Sequence, residues 1–332
     1  MNTTSIILKK RPEGRPQESD FEFRKKELAD IKDGQLRLKL KYLSVDPYLR
    51  GRMSDAKSYV EPFELDKPIE SLVVAEIIES KNKDFDTGQN VVAMLPWIKE
   101  QNHNGENLTK VDGNSMSLSA YLGVLGMTGL TAYFGLTEIG KPNQGETLVV
   151  SGAAGAVGST VGQLGKIMGC RVVGIAGSDE KIEMITSKFG FDEGINYKTT
   201  ENMSKAISNT CPKGVDIYFD NVGGEISDAV LFNLNQFSRT INCGAIAVYN
   251  NTELPTSVSV RPFLIKKSAL MQGFIVSNYS EKFNEGRKQL STYLKEGKLK
   301  HEETIVEGFD NVIDAFIGLF DGDNKGKMVV KV

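Results

Sequence analysis

Cysteine, histidine and tryptophan are scarce in this chain: three, two and one among 332 residues. The cysteines, Cys170, Cys211 and Cys243, lie far apart and form no CxxC pair. That excludes a disulfide scaffold and a clustered structural zinc site, and it suits a reducing, cytoplasmic compartment. A catalytic zinc site needs about three protein ligands drawn from Cys, His and carboxylates. With only His103 and His301 on offer, no metal is expected. His103 falls in the polar stretch KEQNHNGEN and reads as an exposed loop residue. Long apolar runs are also missing. The opening MNTTSIILKKRPEG offers only Ile6, Ile7 and Leu8 in succession, too short for a signal peptide, and no stretch could span a bilayer. Nor is there an excess of one charge. A net charge of -3 and a pI near 5.7 argue against nucleic acid or an anionic membrane as partner. What remains, 40% hydrophobic and 25% charged, reads as a soluble globular chain long enough for two domains.

What is there centres on Glu146 to Lys181, ETLVVSGAAGAVGSTVGQLGKIMGCRVVGIAGSDEK. The run up to Ser151 is β-branched and apolar, as a buried parallel strand should be. Gly152, Gly155 and Gly158 follow in GAAGAVG. Val157, Val161, Leu164 and Met168 then recur at helical spacing until Gly169, and RVVGIA forms a second strand. A βαβ unit with a glycine turn at its first corner binds anions: the helix N-terminus has unpaired N–H groups, and small residues let a pyrophosphate approach. The spacing is GxxGxxG rather than GxGxxG, and a tight strand–helix connection without ligand is the alternative.

The end of the second strand bears on which nucleotide. An NAD site wants an acidic residue there for the ribose 2′-OH. Here Gly177 and Ser178 precede Asp179, Glu180 and Lys181. Ser178 can cap the next helix, and Lys181 can reach a 2′-phosphate, so the expectation is NADP(H). A capped, solvated first helical turn would look the same, with its acids favoured by the helix dipole.

Residues 1–124 look β-rich. QLRLKLKYLSV alternates Leu36, Leu38, Leu40 and Tyr42 on one face, and SLVVAEIIE and NVVAML read as further strands. Asp46-Pro47-Tyr48-Leu49-Arg50-Gly51 reads as a turn, in which Arg50 either serves a site or pairs with Asp46. Residues 99–117 read as a loop, and Trp97 as a packing residue. From Leu125 to about residue 300 strands and helices alternate. A helix from Met127, ended by Gly140 and Pro142, leads to the βαβ unit; then come a helix from Asp179 to Phe189, a strand VDIYFD, a helix over 225–236, a strand from Arg239 to Val248 broken at Gly244, and a last strand from Ala269 to Val276. That rhythm implies a doubly wound parallel sheet of α/β class with ligand at the carboxyl ends of its strands. Asn221, Gly244, Tyr249 and Ile275 stand at those ends, although Asn221 before Gly223-Gly224 is equally a turn residue. An amphipathic helix from Glu281 to Leu294 follows. Residues 301–332 hold another helix, the turn DGDNKGK and a final strand expected to rejoin the first sheet. The apolar edge at Ala269 to Val276 is of the kind that pairs across a two-fold, which points to a homodimer.

SVDPYLRGRM, AYLGVLGMTGLTAYFGL, AAGAVGSTVGQLGKIMGC, GSDEK, NYK, FDNVGG, NCGAIAVYN and GDNKGKMVVK occur here in the order and setting of the zinc-independent medium-chain dehydrogenase/reductases. More narrowly, nearly the whole chain resembles the NADP-dependent alkenal/one double-bond reductases, the group of prostaglandin reductase, leukotriene B4 dehydrogenase and curcumin reductase. The resemblance implies a GroES-like catalytic domain in residues 1–124, a Rossmann-type domain in 125–300 and a return to the first in 301–332. It implies that Gly155, Ala156, Val157 and Gly158 meet the pyrophosphate. Lys181 and Tyr197, with Ser178 nearby, would hold the 2′-phosphate of NADP(H). Asn221, the run Cys243, Gly244, Ala245, Ile246, Ala247 and Val248, then Phe274, Ile275, Val276 and Asn324 would line the rest. Many relatives carry a GWxxY-like segment after the NVVA strand. This chain has LPWIKEQNHNGEN, so the substrate-side wall differs.

The implied reaction is reduction of an enone or alkenal: hydride reaches the β-carbon and negative charge develops on the carbonyl oxygen. Tyr249 is the first candidate for the donor to that oxygen or for orienting the nicotinamide ribose, Tyr48 the second and Tyr59 the third. Two other readings stay open at this stage, an NADPH-dependent quinone oxidoreductase and a non-catalytic NADPH-binding or sensing protein.

Overall fold

The computed structural model describes residues 2–332 except Ser115 and Leu254. In chain order the first elements are β1 (Asn2–Leu8), β2 (Phe21–Glu27), β3 (Leu36–Ser44), α1 (Leu49–Arg52), β4 (Glu70–Ser80), β5 (Asn90–Pro96), β6 (Glu100–His103) and β7 (Thr109–Val111). Then come α2 (Met127–Phe134), β8 (Thr147–Ser151), α3 (Ala156–Ile167), β9 (Arg171–Ala176), α4 (Asp179–Glu183), β10 (Glu193–Asn196), α5 (Met203–Thr210), β11 (Val215–Asp220) and α6 (Gly224–Leu231). The remainder is β12 (Leu234–Asn242), α7 (Arg261–Lys267), β13 (Leu270–Gly273), α8 (Phe283–Lys295), β14 (Glu303–Glu307), α9 (Val312–Gly318) and β15 (Lys327–Lys331). The chain divides into two units. One comprises Met1–Leu122, Glu303–Asn324 and Met328–Val332; the other comprises Gly123–Glu302 and Lys325–Lys327.

The first unit is built on an antiparallel sheet in the order β14-β15-β3-β4-β5-β7, with β6 also on β3, as the GroES-like expectation requires. β15 pairs with β3 through Val329–Ser44 and Val330–Leu43, so the end of the chain completes the sheet. Leu36, Leu38 and Leu40 are fully buried, but the alternation does not continue to Tyr42. The register with β4 shifts between Leu40 and Tyr42, so Leu43 goes into the core and Tyr42 is only half-buried. A bulge exchanges the faces of the residues beyond it.

Three local expectations in this unit are corrected. DPYLRG is not a bare turn: it opens the short helix α1, whose Leu49 is fully buried along with Met53 just beyond. Arg50 does not pair with Asp46; its guanidinium donates to the carbonyls of Gly14 (2.8 Å) and Pro12 (3.2 Å). Asp46 instead accepts from the Ser44 hydroxyl. The stretch 99–117, of which Ser115 lies outside the described residues, contains β6 and β7. Polar residues on a sheet margin leave no alternation to read, and β6 is held by pairing with β3 from Leu36–His103 to Lys39–Glu100. His103 is therefore half-buried on a strand, its Nδ1 accepting from the Gly105 N–H at 3.0 Å; burial lowers its pKa. Trp97 is fully buried, with its indole N–H on Ser71 Oγ at 2.8 Å.

The second unit is a parallel sheet in the order β10-β9-β8-β11-β12-β13. This is the doubly wound, Rossmann-type arrangement. All of β8 is buried, and so is all of β9 after Arg171, because helices cover both faces. Leu148, Val149 and Val150 each have 0% exposure, which makes β8 the centre of this core. α3 sits close on it because its inner face is cut away: a Cβ at Gly162 would lie 1.8 Å from the Phe191 ring, and one at Gly165 2.5 Å from Leu148.

Here too boundaries move. The helix expected over 225–236 stops at Leu231, because Leu234 already starts β12. The strand expected over 239–248 runs instead from Leu234 to Asn242. Its first half, Leu234-Asn-Gln-Phe237, carries polar residues and a Phe237 at φ 59°, so no strand periodicity shows. Beyond Asn242 the amides of Cys243 and Gly244 turn aside onto the Asp220 carbonyl (2.8 and 3.1 Å), and a helical turn spans Ile246–Val248. β13 ends at Gly273, short of Val276, where Asn278 Oδ1 takes the Ile275 N–H at 3.0 Å.

Candidate active site

The carboxyl ends of the parallel strands gather most of the residues singled out from the sequence. β8 runs into Gly152, which has φ 59°, and the chain then enters α3 through Gly155. Gly158 lies under the turn: a Cβ there would sit 2.3 Å from the Gly152 carbonyl oxygen and 2.8 Å from Ala153 Cα. No side chain caps α3 at Gly155, whereas Ser178 caps α4 and Asn202 caps α5. Gly155 itself offers the amides of Ala156, Val157 and Gly158 no side-chain cap, and such a helix N-terminus fits a bound phosphate group.

At the next corner, Ser178 Oγ accepts from the Lys181 N–H at 3.3 Å. Tyr197 follows β10, its N–H on the Ala176 carbonyl at 3.1 Å. Its ring lies over Gly177, where a Cβ would come within 3.0 Å of the Tyr197 hydroxyl. Ser178, Lys181 and Tyr197 are therefore neighbours, and Tyr197 is 40% exposed. The adjoining acids are engaged: Asp179 Oδ1 accepts from Asn196 Nδ2 at 2.7 Å, and Glu180 pairs with Lys325. A lysine in the helical turn that Ser178 caps, with Tyr197 over Gly177, is a residue set that can serve a phosphate monoester.

β11 ends at Asp220, which organises the middle of the edge. Its carboxylate accepts from Ser151 Oγ (2.9 Å), Tyr218 OH (2.9 Å), Ser227 Oγ, and the amides of Val222 (3.0 Å) and Gly223 (2.9 Å). Burial, and then the Asp220 charge, push the Tyr218 phenol well above its ordinary range. Asn221 spans the gap to β8: its N–H donates to Ser151 Oγ at 2.9 Å and its Nδ2 to the Ser151 carbonyl at 2.8 Å. The segment Cys243–Val248 wraps this corner, with Ala247 N–H on the Val222 carbonyl at 3.0 Å. Tyr249 closes it by accepting the Ala245 N–H on its hydroxyl at 3.2 Å. After β13 the Phe274 ring packs edge-on to Phe219, centroids 6.4 Å apart, leaving the backbone of Phe274, Ile275 and Val276 along the edge.

Sequence reasoning missed Asp220, Ser151 and the segment Lys325–Lys327. An acid ending an apolar strand before Asn-Val-Gly-Gly was the only available signal for Asp220. The segment belongs to this unit. Gly326 N–H donates to the Ala154 carbonyl at 2.7 Å, and Lys327 N–H to the Glu302 carbonyl at 2.9 Å. Gly326 has φ 63°, and a Cβ on it would meet the Glu302 carbonyl oxygen at 1.9 Å.

Tyr48, Tyr59 and Asn324 belong to the other unit. Tyr48 precedes α1; burial and then the Asp46 charge push its phenol well above its ordinary range. Tyr59 is 63% exposed. Among the described residues no group of three or more His, Cys, Asp or Glu side chains could hold a metal ion. No helix among them is long and apolar enough to cross a membrane.

Comparison with known proteins gives a consistent answer. Residues 4–111 match the family model described as the N-terminal domain of oxidoreductase. Residues 156–292 match the one described as zinc-binding dehydrogenase, although that stretch contains no histidine. A Bacillus subtilis (strain 168) protein, named "Putative NADP-dependent oxidoreductase YfmJ", is 55% identical over 98% of this chain and 97% of its own. The 2-alkenal reductase (NADP(+)-dependent) of Nicotiana tabacum is 40% identical over 100% of this chain and 98% of its own. The crystal structure of CurA from Vibrio vulnificus in complex with NADPH superposes with a TM-score of 0.92 at 41% identity, covering 99% of each chain. Two matched halves, full-length relatives and a shared pair of folds lead to one assignment: the chain belongs to the zinc-independent medium-chain dehydrogenase/reductases, a family of oxidoreductases.

Proposed function

We propose that this protein uses NADPH to reduce the carbon–carbon double bond of α,β-unsaturated aldehydes and ketones. The observation that carries the cofactor half is the carboxyl edge of the parallel sheet. There an uncapped α3 N-terminus stands beside the Ser178–Lys181–Tyr197 group. The names of full-length relatives, an alkenal reductase among them, support the double-bond half.

Bound NADPH supplies the hydride. In this reading Gly155 lets its pyrophosphate approach, the amides of Ala156, Val157 and Gly158 hold it, and Lys181 with Tyr197 and Ser178 holds its 2′-phosphate. Asn221, the run Cys243 to Val248, Phe274 to Val276 and Asn324 line the remainder. Tyr249 accepts the Ala245 N–H on its hydroxyl, and a phenol is a donor as well as an acceptor. It donates to the substrate carbonyl as negative charge develops there, a contribution of about 3 kcal/mol if it acts like a single oxyanion-hole donor, and water or a tyrosine then protonates the α-carbon of the enolate to give the saturated carbonyl. Tyr48, a neutral phenol at about pH 7 with or without its upward shift, is the second candidate donor. We further propose a homodimer through the exposed β13 edge, where Leu270 is 45% and nearby Ile265 80% exposed. Light scattering reads that directly.

The deciding assay is NADPH oxidation with a 2-alkenal and an enone, in the presence of a chelator, with product identification. A quinone and NADH run beside it. A saturated carbonyl product with NADPH preferred is the expected result. An allylic alcohol, or turnover on the quinone alone, overturns the reading.

A further inference from the structure

α4 opens with two carboxylates next to the lysine that would meet a 2′-phosphate. Left to themselves, Asp179 and Glu180 repel that dianion and favour a ribose hydroxyl instead. The fold gives each a partner. Asp179 accepts from Asn196 Nδ2 at 2.7 Å. Glu180 is paired by Lys325, which arrives from the far end of the sequence. Lys325 is not placed there by chance rotation of a surface side chain. Its neighbour Gly326 is fixed by the hydrogen bond to Ala154, within the glycine turn, and forms a parallel bridge with Gly155. Lys327, 4% exposed, anchors the other side through Glu302. The backbone that crosses the glycine turn thus delivers an ammonium to the acid one residue before Lys181.

We infer that Lys325 is a positioning residue for cofactor choice: by neutralising Glu180 it removes the charge that would reject the 2′-phosphate, and so favours NADP(H) over NAD(H). This rests on the NADP(H) reading above. Lys325 acts through Glu180 and needs no contact with the cofactor. The pair is solvent-exposed, so the effect is modest and fades with salt.

The test is equilibrium binding of NADPH and NADH to the full chain, read by nucleotide fluorescence, for wild type, Lys325→Met, Glu180→Gln and the double variant. Wild type should prefer NADPH. Lys325→Met should weaken NADPH about three- to fivefold at low salt and leave NADH within about twofold, the size expected of an exposed ion pair. The double variant should return to the wild-type NADPH affinity, because no acid is left to neutralise. A double variant as weak as Lys325→Met overturns the inference and makes Lys325 a direct phosphate ligand or a structural residue. An unchanged Lys325→Met affinity overturns it while leaving the cofactor reading in place. A wild type without preference for NADPH overturns both.

Discussion

Gly158 and the carbonyl of Gly152 are in contact across the first turn of α3, with only 2.3 Å available to a Cβ at Gly158. The helix N-terminus is as close to the strand end as two backbones allow. Gly158→Ala must push α3 away from the turn. The expected cost is about 1–3 kcal/mol of stability, the usual penalty for overpacking. NADPH affinity should fall with it. Calorimetry and fluorescence titration read the two effects, and a lost Tm with intact NADPH binding would take the turn out of the cofactor site.

Tyr249→Phe keeps the ring and deletes the oxygen that holds the Ala245 N–H. Turnover on an enone should fall about 100-fold, as when an oxyanion-hole donor is removed. KM for NADPH should change little. Equal losses in kcat and in NADPH affinity would mean that the tyrosine shapes the 243–248 segment and does not serve the carbonyl.

Asp220→Ala takes the acceptor from the Ser151 hydroxyl and two backbone amides, and leaves the Tyr218 and Ser227 hydroxyls, 3.3 Å apart, only each other. Each buried donor left without a partner costs about 1–3 kcal/mol. Because some will find water, about 3 kcal/mol in total is the expected loss, read by urea unfolding. A cost below about 1 kcal/mol would show that the corner is held by backbone pairing alone.

Cys170 gives a pH signature. Burial, then the Glu146 charge, push its thiol up to about 11 in the folded protein. Burial also raises Cys211. An unfolded thiol titrates near about 8.5. A raised folded value means the native state holds the proton more tightly, so this stability is complete below the unfolded pKa and is lost as pH rises toward the folded one. Tm should therefore decline through this alkaline window, and Cys170→Ala should flatten the decline. Parallel curves for variant and wild type would remove Cys170 from the account.

The β8–α3–β9 unit was readable because two periodicities and three glycines coincide in one short stretch. Ser178 as a cap was readable for the same reason: its partner lies three residues on. β6 and the start of β12 were not: both carry polar residues without alternation, β6 is held by a strand far away in sequence, and β12 opens through a register shift against β11. Tyr42 misled because a bulge opposite β4 reverses the face it would have shared with Leu40. The same distance hid Asp220 and Lys325. Their chemistry lies in who meets them, and Ser151 and Glu180 are known as partners only once the chain is folded.

The pairing of β15 with β3 sets an order on synthesis. The strand Leu36–Ser44 emerges long before its neighbour Lys327–Lys331. Residues 123–302 form a nearly continuous unit and can collapse while the first sheet still waits with one side of β3 open. Closing that sheet must then span a very long loop, whose entropy makes late pairing slow. Loss of Lys327–Lys331 would bare the Tyr42–Ser44 edge of β3, so a chain stalled or clipped before β15 becomes sticky at a strand made long before the break.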